Sequence, residues 1–422
     1  MSRPDQDAAA ALATSAESRI SALRASVADR VTDLPLRYWR QQAHFTTPAD
    51  NESLARKAVE GGTSATGRLL ERWQIEPAEL ADRLGVPADR VVALLEAPRR
   101  APLVMLDGED ATAQREDTLA EARRVAALTL RTAAWGTTLR FYRPPGFGLA
   151  GAGADLVAVL LTASTGDPAT YPVDGIIFPK IEHPEEVDVL YAVLDDVEAL
   201  LSLPRGRIRV GFLVESGWCA AQLPEITRRA APRLASLIYG LADYSADLGL
   251  PEIAIDHPLA DWVRAEIVNV AGAVGVPSLD GMTLAYPVAD PALDAAANRE
   301  RFLERMALCH RDAIRARDLG MTGKWVGHPA QLFVTLLAFE APAEAAALEA
   351  AAAALGAYRS AVEDEGRGAT MIGGTMADRA TDRHARAVLR RAVAGGRFDV
   401  GRALVLGVIE AHELDDAGPA AG

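Results

Sequence analysis

Ionisable side chains follow several apolar segments of this sequence, at points where a catalytic site could form. The run "SLIYGLADYSADLGL", residues 236–250, begins as a buried strand and then delivers Asp243 and, four residues later, Asp247. Two other apolar runs end in Lys180 and in Glu215. Charged groups are costly to bury unless they are paired or bind a metal. The pattern therefore predicts a chemical role for these strand ends.

The remaining predicted strands extend this set of ionisable ends. The second apolar run passes into "LDGED", the third offers Arg140 with Arg143 just beyond it, and the eighth ends at a histidine in "GKWVGHPAQ". In a barrel of parallel strands the carboxyl ends meet on one open face, where the βα loops carry the chemistry. The candidates read in this way are Asp107, Glu109, Asp110, Arg140, Arg143, Lys180, Glu215, Asp243 and His328.

The types of these residues favour a hard divalent cation. Oxygen ligands without a histidine pair or cysteines suit Mg²⁺ or Mn²⁺. Glu215 and Asp243, on adjacent predicted strands, are the expected protein ligands, and a bidentate 2-oxo acid would fill two further positions. Lys180 and Arg140 would offset the negative charge of that acid, because arginine presents a planar fork to a carboxylate.

A parallel α/β fold must position these groups. Continuous apolar runs alternate with amphipathic stretches, which is typical of a parallel sheet covered by helices. Eight such strands between residues 43 and 330 favour a TIM (β/α)8 barrel, with a doubly wound open sheet as the alternative.

Three further segments surround the predicted barrel of residues 38–340. Residues 1–37 form an N-terminal helical segment, residues 66–100 a helical insert, and residues 341–422 a C-terminal helical arm and tail. The insert has the helix–glycine turn–helix rhythm of a DNA-binding motif, but a hairpin that packs on the barrel is the preferred interpretation.

Composition excludes several classes of function. The 58 acidic residues outnumber the 44 basic ones and give a formal charge of −14, which disfavours nucleic acid as a partner. Two cysteines provide neither a disulfide framework nor a cysteine-based zinc site. The first residues do not resemble a signal peptide, and no apolar run reaches the roughly 18 residues of a membrane span. A cytoplasmic protein is expected.

Several segments, in order along residues 43–385, resemble one known family. They are "HFTTPADNESLARKAV", "VMLDGEDAT", "LRFY", "IIFPKIE", "LVESGWCAAQLPEI", "YGLADYSADLG" and "GKWVGHPAQ". The sequence is similar here to the HpcH/HpaI aldolase and citrate lyase β-subunit superfamily, whose members are Mg²⁺-dependent TIM barrels. Each motif is weak alone, and their order makes the resemblance specific.

The resemblance implies a reaction and roles for its residues. Glu215 and Asp243 would hold the metal, the arginine of the third strand would grip the oxo acid, and a carbon–carbon bond beside a carbonyl would break or form. Arg140 is preferred over Arg143 as that arginine. A homotrimer or hexamer is expected on the resemblance alone, and Asp247 is assigned a capping or supporting role. The predicted catalytic residues are Arg140, Lys180, Asp107, Glu109 and Asp110, and the predicted substrate-binding residues are Arg143, Ser216 and His328.

The sequence departs from the family pattern in three places. Ser216, Trp218 and Cys219 replace the residues that usually follow the glutamate of the fifth strand, which removes a positive charge. Gly373 stands where thioester-cleaving members carry an aspartate, and the insert could cover the approach of coenzyme A. A small-molecule oxo acid is therefore the expected substrate, and a coenzyme A thioester is disfavoured but left open.

Three functions remain open on the sequence alone. The first is a Mg²⁺-dependent carbon–carbon lyase or aldolase that acts on a small oxo- or hydroxy-(di)carboxylate through a metal-stabilised enolate. The second is a hydrolase or decarboxylase that handles oxaloacetate or phosphoenolpyruvate on the same barrel. The third is a catalytically reduced protein that binds an oxo acid without turnover.

Overall fold

The protein is described by a computed structural model. It describes residues 6–27, 34–110, 112, 115–253, 255–340, 343–364, 366, 368–372 and 374–414.

Eight parallel strands form a closed barrel in chain order, which confirms the predicted TIM fold. The first strand pairs with the second and with the eighth, so the sheet has no free edge. The strands are β1 Ala43–Pro48, β2 Leu103–Asp107, β3 Leu139–Arg143, β4 Gly175–Phe178, β5 Arg209–Val214, β6 Leu234–Tyr239, β7 Ser278–Asp280 and β8 Gly323–Val326.

Helices cover the outside of the barrel, which explains why its strands are apolar on both faces. All six residues of β6 are buried, for example. The helices between α2 and α13 are α2 Glu52–Gly61, α3 Ser64–Trp73, α4 Pro77–Leu84, α5 Ala88–Glu96, α6 Glu116–Thr132, α7 Ala152–Thr162, α8 Pro184–Leu200, α9 Gly217–Ala230, α10 Leu241–Asp247, α11 Pro258–Val274, α12 Ala295–Asp318 and α13 Pro329–Phe339.

The helical insert, α3 to α5, packs on the flank of the barrel. Its helices contact α12 and α13, and Arg299 of α12 binds Glu79 at 2.5 Å. None of the residues that line the two cavities described below comes from the insert. The insert follows α2, which leads from the carboxyl end of β1 back towards the amino ends of the strands. That it covers the approach of coenzyme A stays a prediction.

The C-terminal arm packs beneath the barrel. It comprises α14 Ala343–Glu363, an antiparallel pair of short strands, β9 Thr370–Ile372 and β10 Thr375–Ala377, then α15 Arg379–Ala394 and α16 Val400–Val405. Its apolar residues form a second core with Leu36, which lies in a short 3-10 helix, Leu36–Arg40, ahead of β1. The arm therefore closes the amino end of the barrel and leaves the carboxyl end open.

The N-terminal helix α1, Gln6–Val27, differs from all these helices in that its described side chains are exposed. Within the residues that the structure describes, no helix is both long and apolar enough to cross a membrane.

Candidate metal and active site

Three carboxylates meet at the carboxyl end of the barrel and form what we call the acid cluster: Asp110, Glu215 and Asp243. One oxygen from each lies within 4.8 Å of the others. Glu215 follows β5 and is buried, whereas Asp243 lies in the first turn of α10 and is partly exposed. The sequence predicted that Glu215 and Asp243, after adjacent strands, lie close together. The structure brings Asp110 into the same cluster.

The environment of Glu215 suits a cation ligand. Its Oε2 accepts a hydrogen bond from the backbone N–H of Lys180 at 3.0 Å. Its Oε1 is buried and has no hydrogen-bond partner among the described residues. A Cβ at position 240 would lie 2.2 Å from the Glu215 Cγ, so Gly240 is needed to leave space for this side chain. A buried oxygen without a donor, beside two more carboxylates, fits Mg²⁺ or Mn²⁺.

The charges of the acid cluster repel one another in the absence of a cation. Burial raises the pKa of Glu215 to about 8. The positive charge of Arg143 acts to lower this pKa, and the negative charge of Asp243 acts to raise it. Burial and the nearby charge of Asp110 also raise the pKa of Asp243. A divalent cation would remove this repulsion and stabilise the ionised carboxylates.

Arg143, at the end of β3, is the buried cation of the site. Its guanidinium binds Asp107 through two bonds of 2.6 and 2.7 Å and lies 3.2 Å from oxygens of both Glu109 and Asp110. The ring of Trp325 lies against it, with the centroid 5.3 Å from Cζ. Burial alone would lower the pKa of Arg143, but the charge of Asp107 outweighs it and keeps the group cationic.

The preference for Arg140 over Arg143 is wrong, because Arg140 lies at the opposite end of the barrel. It is the second residue of β3, and its Nε donates to Asp174 Oδ2 at 3.1 Å. Successive side chains of a strand point to opposite faces, so residues three apart cannot share a face. Arg143 therefore shares the interior face with Phe141, and Arg140 does not reach the acid cluster.

Lys180 bridges the carboxylates above β4. Its Nζ lies 2.5 Å from Glu109, 3.0 Å from Asp110 and 3.9 Å from Asp243. Burial works to lower the pKa of Lys180, but the hydrogen bonds that its ammonium donates to Glu109 and Asp110 outweigh it and raise that pKa. The backbone of Lys180 has φ of 51°, a left-handed conformation that is uncommon outside glycine.

Opposing influences set the pKa of the Glu109 carboxyl close to neutral pH. Burial raises the pKa of its carboxyl to about 7, whereas Arg143 and Lys180 act to lower it. Burial also acts to raise the pKa of Asp110, but Arg143, Glu109 and Lys180 lower it below its usual value. The two neighbouring acids therefore differ in proton affinity, a difference that suits acid–base chemistry at Glu109.

The predicted substrate-binding residues Ser216 and His328 lie at helix starts. Ser216 Oγ accepts from the Cys219 N–H at 3.0 Å, and His328 Nδ1 accepts from the Ala330 N–H at 3.2 Å. Burial lowers the pKa of His328 to about 4. Asp247 accepts from the Gly217 N–H at 2.8 Å and so caps α9. Their contact with a substrate stays a prediction.

Two cavities adjoin the acid cluster. The apolar cavity, about 350 Å³, and the polar cavity, about 780 Å³, both reach Asp110 and Asp243. The apolar cavity is lined by Thr46, Asp107, Asp110, Arg143, Gly240, Leu241, Ala242, Asp243, Met282, Leu284, Tyr286 and Trp325. Sequence reasoning missed the wall that residues 282–286 contribute, since this segment carries no motif. Gly373, the position of the missing family aspartate, lies outside the described residues.

A closed parallel barrel with an acid cluster at its carboxyl end defines a (β/α)8-barrel enzyme. Residues 154–419, more than half of the chain, match the family described as a domain of unknown function (DUF6986). The L-malyl-CoA/beta-methylmalyl-CoA lyase of Rhodobacter capsulatus is 27% identical over 312 residues, which cover 70% of this chain and 89% of that protein.

Two solved structures share the fold. A citrate lyase from Burkholderia xenovorans LB400 is 22% identical with a TM-score of 0.56, covering 89% of this chain and 97% of that one. The protein CitE from Mycobacterium tuberculosis, in complex with magnesium, acetoacetate and coenzyme A, is 23% identical with a TM-score of 0.50, covering 83% of this chain and 98% of that one.

The chain belongs to the DUF6986 family. The predicted resemblance to the HpcH/HpaI aldolase and citrate lyase β-subunit superfamily is confirmed by relatives named malyl-CoA lyase and citrate lyase, and the 27% identity fits a divergent relative. The predicted enzyme class, a carbon–carbon lyase, is confirmed at the level of these relatives.

Proposed function

We propose that the protein is a Mg²⁺-dependent carbon–carbon lyase or aldolase acting on a small oxo or hydroxy acid, with Mn²⁺ as a substitute metal. The observation that carries this proposal is the acid cluster, in which a buried Glu215 oxygen without a donor faces two further carboxylates. The names of the relatives, which include malyl-CoA and citrate lyases, and the magnesium bound to one neighbour support it.

Glu215, Asp243 and Asp110 would hold the cation. When bound, the cation supplies a positive charge that polarises the oxo group and stabilises the enolate charge. Arg143 would bind the substrate carboxylate, because its guanidinium is buried, permanently charged and held in one orientation by Asp107. Lys180 would hold Glu109 and Asp110 in place beside it.

Glu109 would move the proton in this reaction. In the cleavage direction, the hydroxyl of the substrate loses its proton to Glu109 while the adjacent carbon–carbon bond breaks. The bond electrons pass to the carbon beside the oxo group, which is then protonated to give the oxo acid, and the other fragment leaves as an aldehyde or ketone. A pKa of about 7 allows Glu109 to accept and return this proton near neutral pH.

Chelation and product analysis test the proposed function. Cleavage of 4-hydroxy-2-oxo acids should disappear with EDTA and return with Mg²⁺. With oxaloacetate, a decarboxylase would instead release pyruvate and carbon dioxide, and a hydrolase would release oxalate and acetate. Turnover that ignores chelation would contradict the proposal, and ligand binding without any turnover would favour an oxo-acid-binding protein.

A second candidate, a lyase for a coenzyme A thioester, is favoured by the names of the relatives alone. Malyl-CoA is the direct probe. We expect kcat/KM for this thioester to be lower than for a small hydroxy acid, because the lining of the polar cavity contains a single cation, Lys180, against seven acids. Efficient malyl-CoA cleavage would select the second candidate.

We also propose that the chain forms a homotrimer or hexamer. The β9–β10 pair exposes Met371 and Met376, which are 65% and 62% exposed and face each other across the strands. Burial of such side chains against another copy would stabilise an oligomer. Light scattering tests this proposal, and a monomeric mass would contradict it.

A further inference from the structure

The wall of the apolar cavity consists largely of hydrophobic side chains next to the acid cluster. These side chains come from the start of α10, from the segment after β7 and from β8: Leu241, Ala242, Met282, Leu284, Tyr286 and Trp325. Leu284 is 44% exposed, although it lies beside a charged site. An exposed apolar wall in a cavity is typical of a surface that binds the apolar part of a ligand.

The polar atoms of the two aromatic residues in this wall are already engaged. The Tyr286 hydroxyl donates to the Met282 Sδ at 2.9 Å, and the Trp325 indole N–H donates to the Thr46 hydroxyl. The ring faces therefore remain as the available surface. A polar group that entered this cavity would lose hydrogen bonds to water and gain few in exchange, a loss that disfavours it.

The charges at the cavity exclude a second anionic group on the substrate. Arg143 is the one cation among the residues that line it, and Asp107 and Asp110 already bind this guanidinium. The proposed function uses Arg143 for the carboxylate of the oxo acid. A further carboxylate would therefore find no second cationic side chain among the residues that line this cavity.

The polar cavity, which shares Asp110 and Asp243 with the apolar cavity, disfavours anionic tails because its lining is acidic. Beyond the catalytic acids it is lined by Glu182, Glu186 and Asp247. Its one cation, Lys180, is paired with Glu109 and Asp110. A phosphate group would face acidic side chains in the polar cavity. Neither cavity therefore offers a favourable environment for an anionic tail.

We propose that the substrate fragment released or added by this enzyme is uncharged and apolar, such as a branched aliphatic or aromatic aldehyde, and that it lies in the apolar cavity. This inference rests on the proposed lyase function. A cavity of about 350 Å³ has room for a four- to seven-carbon group beside the oxo acid.

The addition direction offers a direct test. Pyruvate and the Mg²⁺-loaded enzyme are incubated with 2-methylpropanal, benzaldehyde or glyoxylate. A bond forms between the methyl carbon of pyruvate and the aldehyde carbon, the methyl group loses a proton and the aldehyde oxygen gains one, so no oxidant is needed. We expect kcat/KM for the two apolar aldehydes to exceed that for glyoxylate by about tenfold or more. A preference for glyoxylate would overturn the inference.

A matched pair of variants ties this preference to the cavity wall. Leu284→Arg places a cation beside the acid cluster and should shift the ratio of kcat/KM towards glyoxylate by about tenfold. Leu293→Arg is the control, because Leu293 follows in the same connection, is 39% exposed and lines neither cavity. Equal ratios in both variants would contradict the role of the wall.

Equilibrium binding separates failure of the inference from failure of the proposed function. In calorimetry with Mg²⁺ present, 4-methyl-2-oxopentanoate should bind more tightly than oxaloacetate, and Leu284→Arg should reverse this order. If no aldehyde turns over but this order holds, the lyase function fails and the apolar preference stands. If aldehydes turn over but oxaloacetate binds more tightly, the inference fails and the lyase function stands.

Discussion

Buried acids lie at both ends of this barrel, and their surroundings differ in the sign of the neighbouring charges. At the amino end, Asp174 is surrounded by Arg37, Arg140 and Arg207, at 2.9, 3.1 and 3.7 Å. Burial acts to raise the pKa of Asp174, but these arginines outweigh it and lower that pKa. At the carboxyl end, Glu215 has a pKa raised to about 8.

The difference distinguishes an acid that is balanced by cations from the acid cluster of the proposed metal site. The amino end provides three cations for one acid and is covered by the 3-10 helix, whose Tyr38 hydroxyl donates to the Asp174 carbonyl at 2.9 Å. The carboxyl end provides Arg143 and Lys180 for five acids. An excess of buried negative charge costs stability and persists where a cation or substrate compensates for it.

The largest effect is expected for Arg143, which serves both stability and the proposed substrate binding. Arg143→Met should lower the free energy of unfolding by about 3–5 kcal/mol, because it removes the guanidinium that binds the buried Asp107 through two hydrogen bonds. Arg143→Lys should keep more of this stability and still lower kcat/KM by about a hundredfold, since an ammonium cannot replace the bidentate fork. Urea unfolding measures the change in stability, and steady-state kinetics measures the change in kcat/KM. Unchanged kinetics in Arg143→Lys would contradict the proposed role of Arg143 in substrate binding.

The pH dependence of stability separates the two ends. Folding raises the pKa of Glu215 from 4.5 to about 8. The contribution of this group to the free energy of unfolding is therefore complete below about pH 4.5 and is lost as the pH rises through 8. At about 1.4 kcal/mol per pKa unit, the loss is about 5 kcal/mol in metal-free protein. Glu215→Gln should reduce this slope, with a remainder from the raised pKa values of Glu109 and Asp243, and saturating Mg²⁺ should oppose it in the wild type. Unfolding curves at several pH values, recorded with EDTA, measure the slope, and an identical slope in the variant would count against the raised pKa.

Asp174→Asn should affect stability alone. The variant leaves three arginines around a neutral side chain, so the free energy of unfolding should fall by about 3 kcal/mol at neutral pH. The lowered pKa of Asp174 has the opposite consequence from that of Glu215. Its contribution is present above the unfolded pKa of 3.8 and is lost as the pH falls. Metal affinity and kcat should not change; a loss of either would mean that the two ends are coupled.

The smallest effect is expected at Asp247, which belongs to the carboxyl end but caps α9. Asp247→Ala should cost about 1 kcal/mol of stability, the typical value of a helix cap. Asp399→Ala, which removes a cap from α16 in the arm, is the matched control. If Asp247→Ala lowers kcat far more than Asp399→Ala, Asp247 also acts on the substrate.

The sequence predicted the barrel and the pair Glu215 and Asp243 because both follow from local patterns. Apolar runs that end in ionisable residues identify the open face once the strands are counted. The choice of Arg140 failed because it depends on where β3 ends, and motif alignment left two registers open. Asp110 reaches the acid cluster through a loop path that no periodicity encodes, and the apolar wall arises from a connection without regular structure.

Calorimetric titration with Mg²⁺ tests the central claim, that the acid cluster, with Glu215 after β5 and Asp243 after β6, holds a cation. The wild type should bind the ion at one site per chain, with affinity that increases as the pH rises towards 8. The double variant Glu215→Gln/Asp243→Asn should show no such site, whereas Asp174→Asn should titrate like the wild type. Equal affinity in the double variant and the wild type would contradict the account.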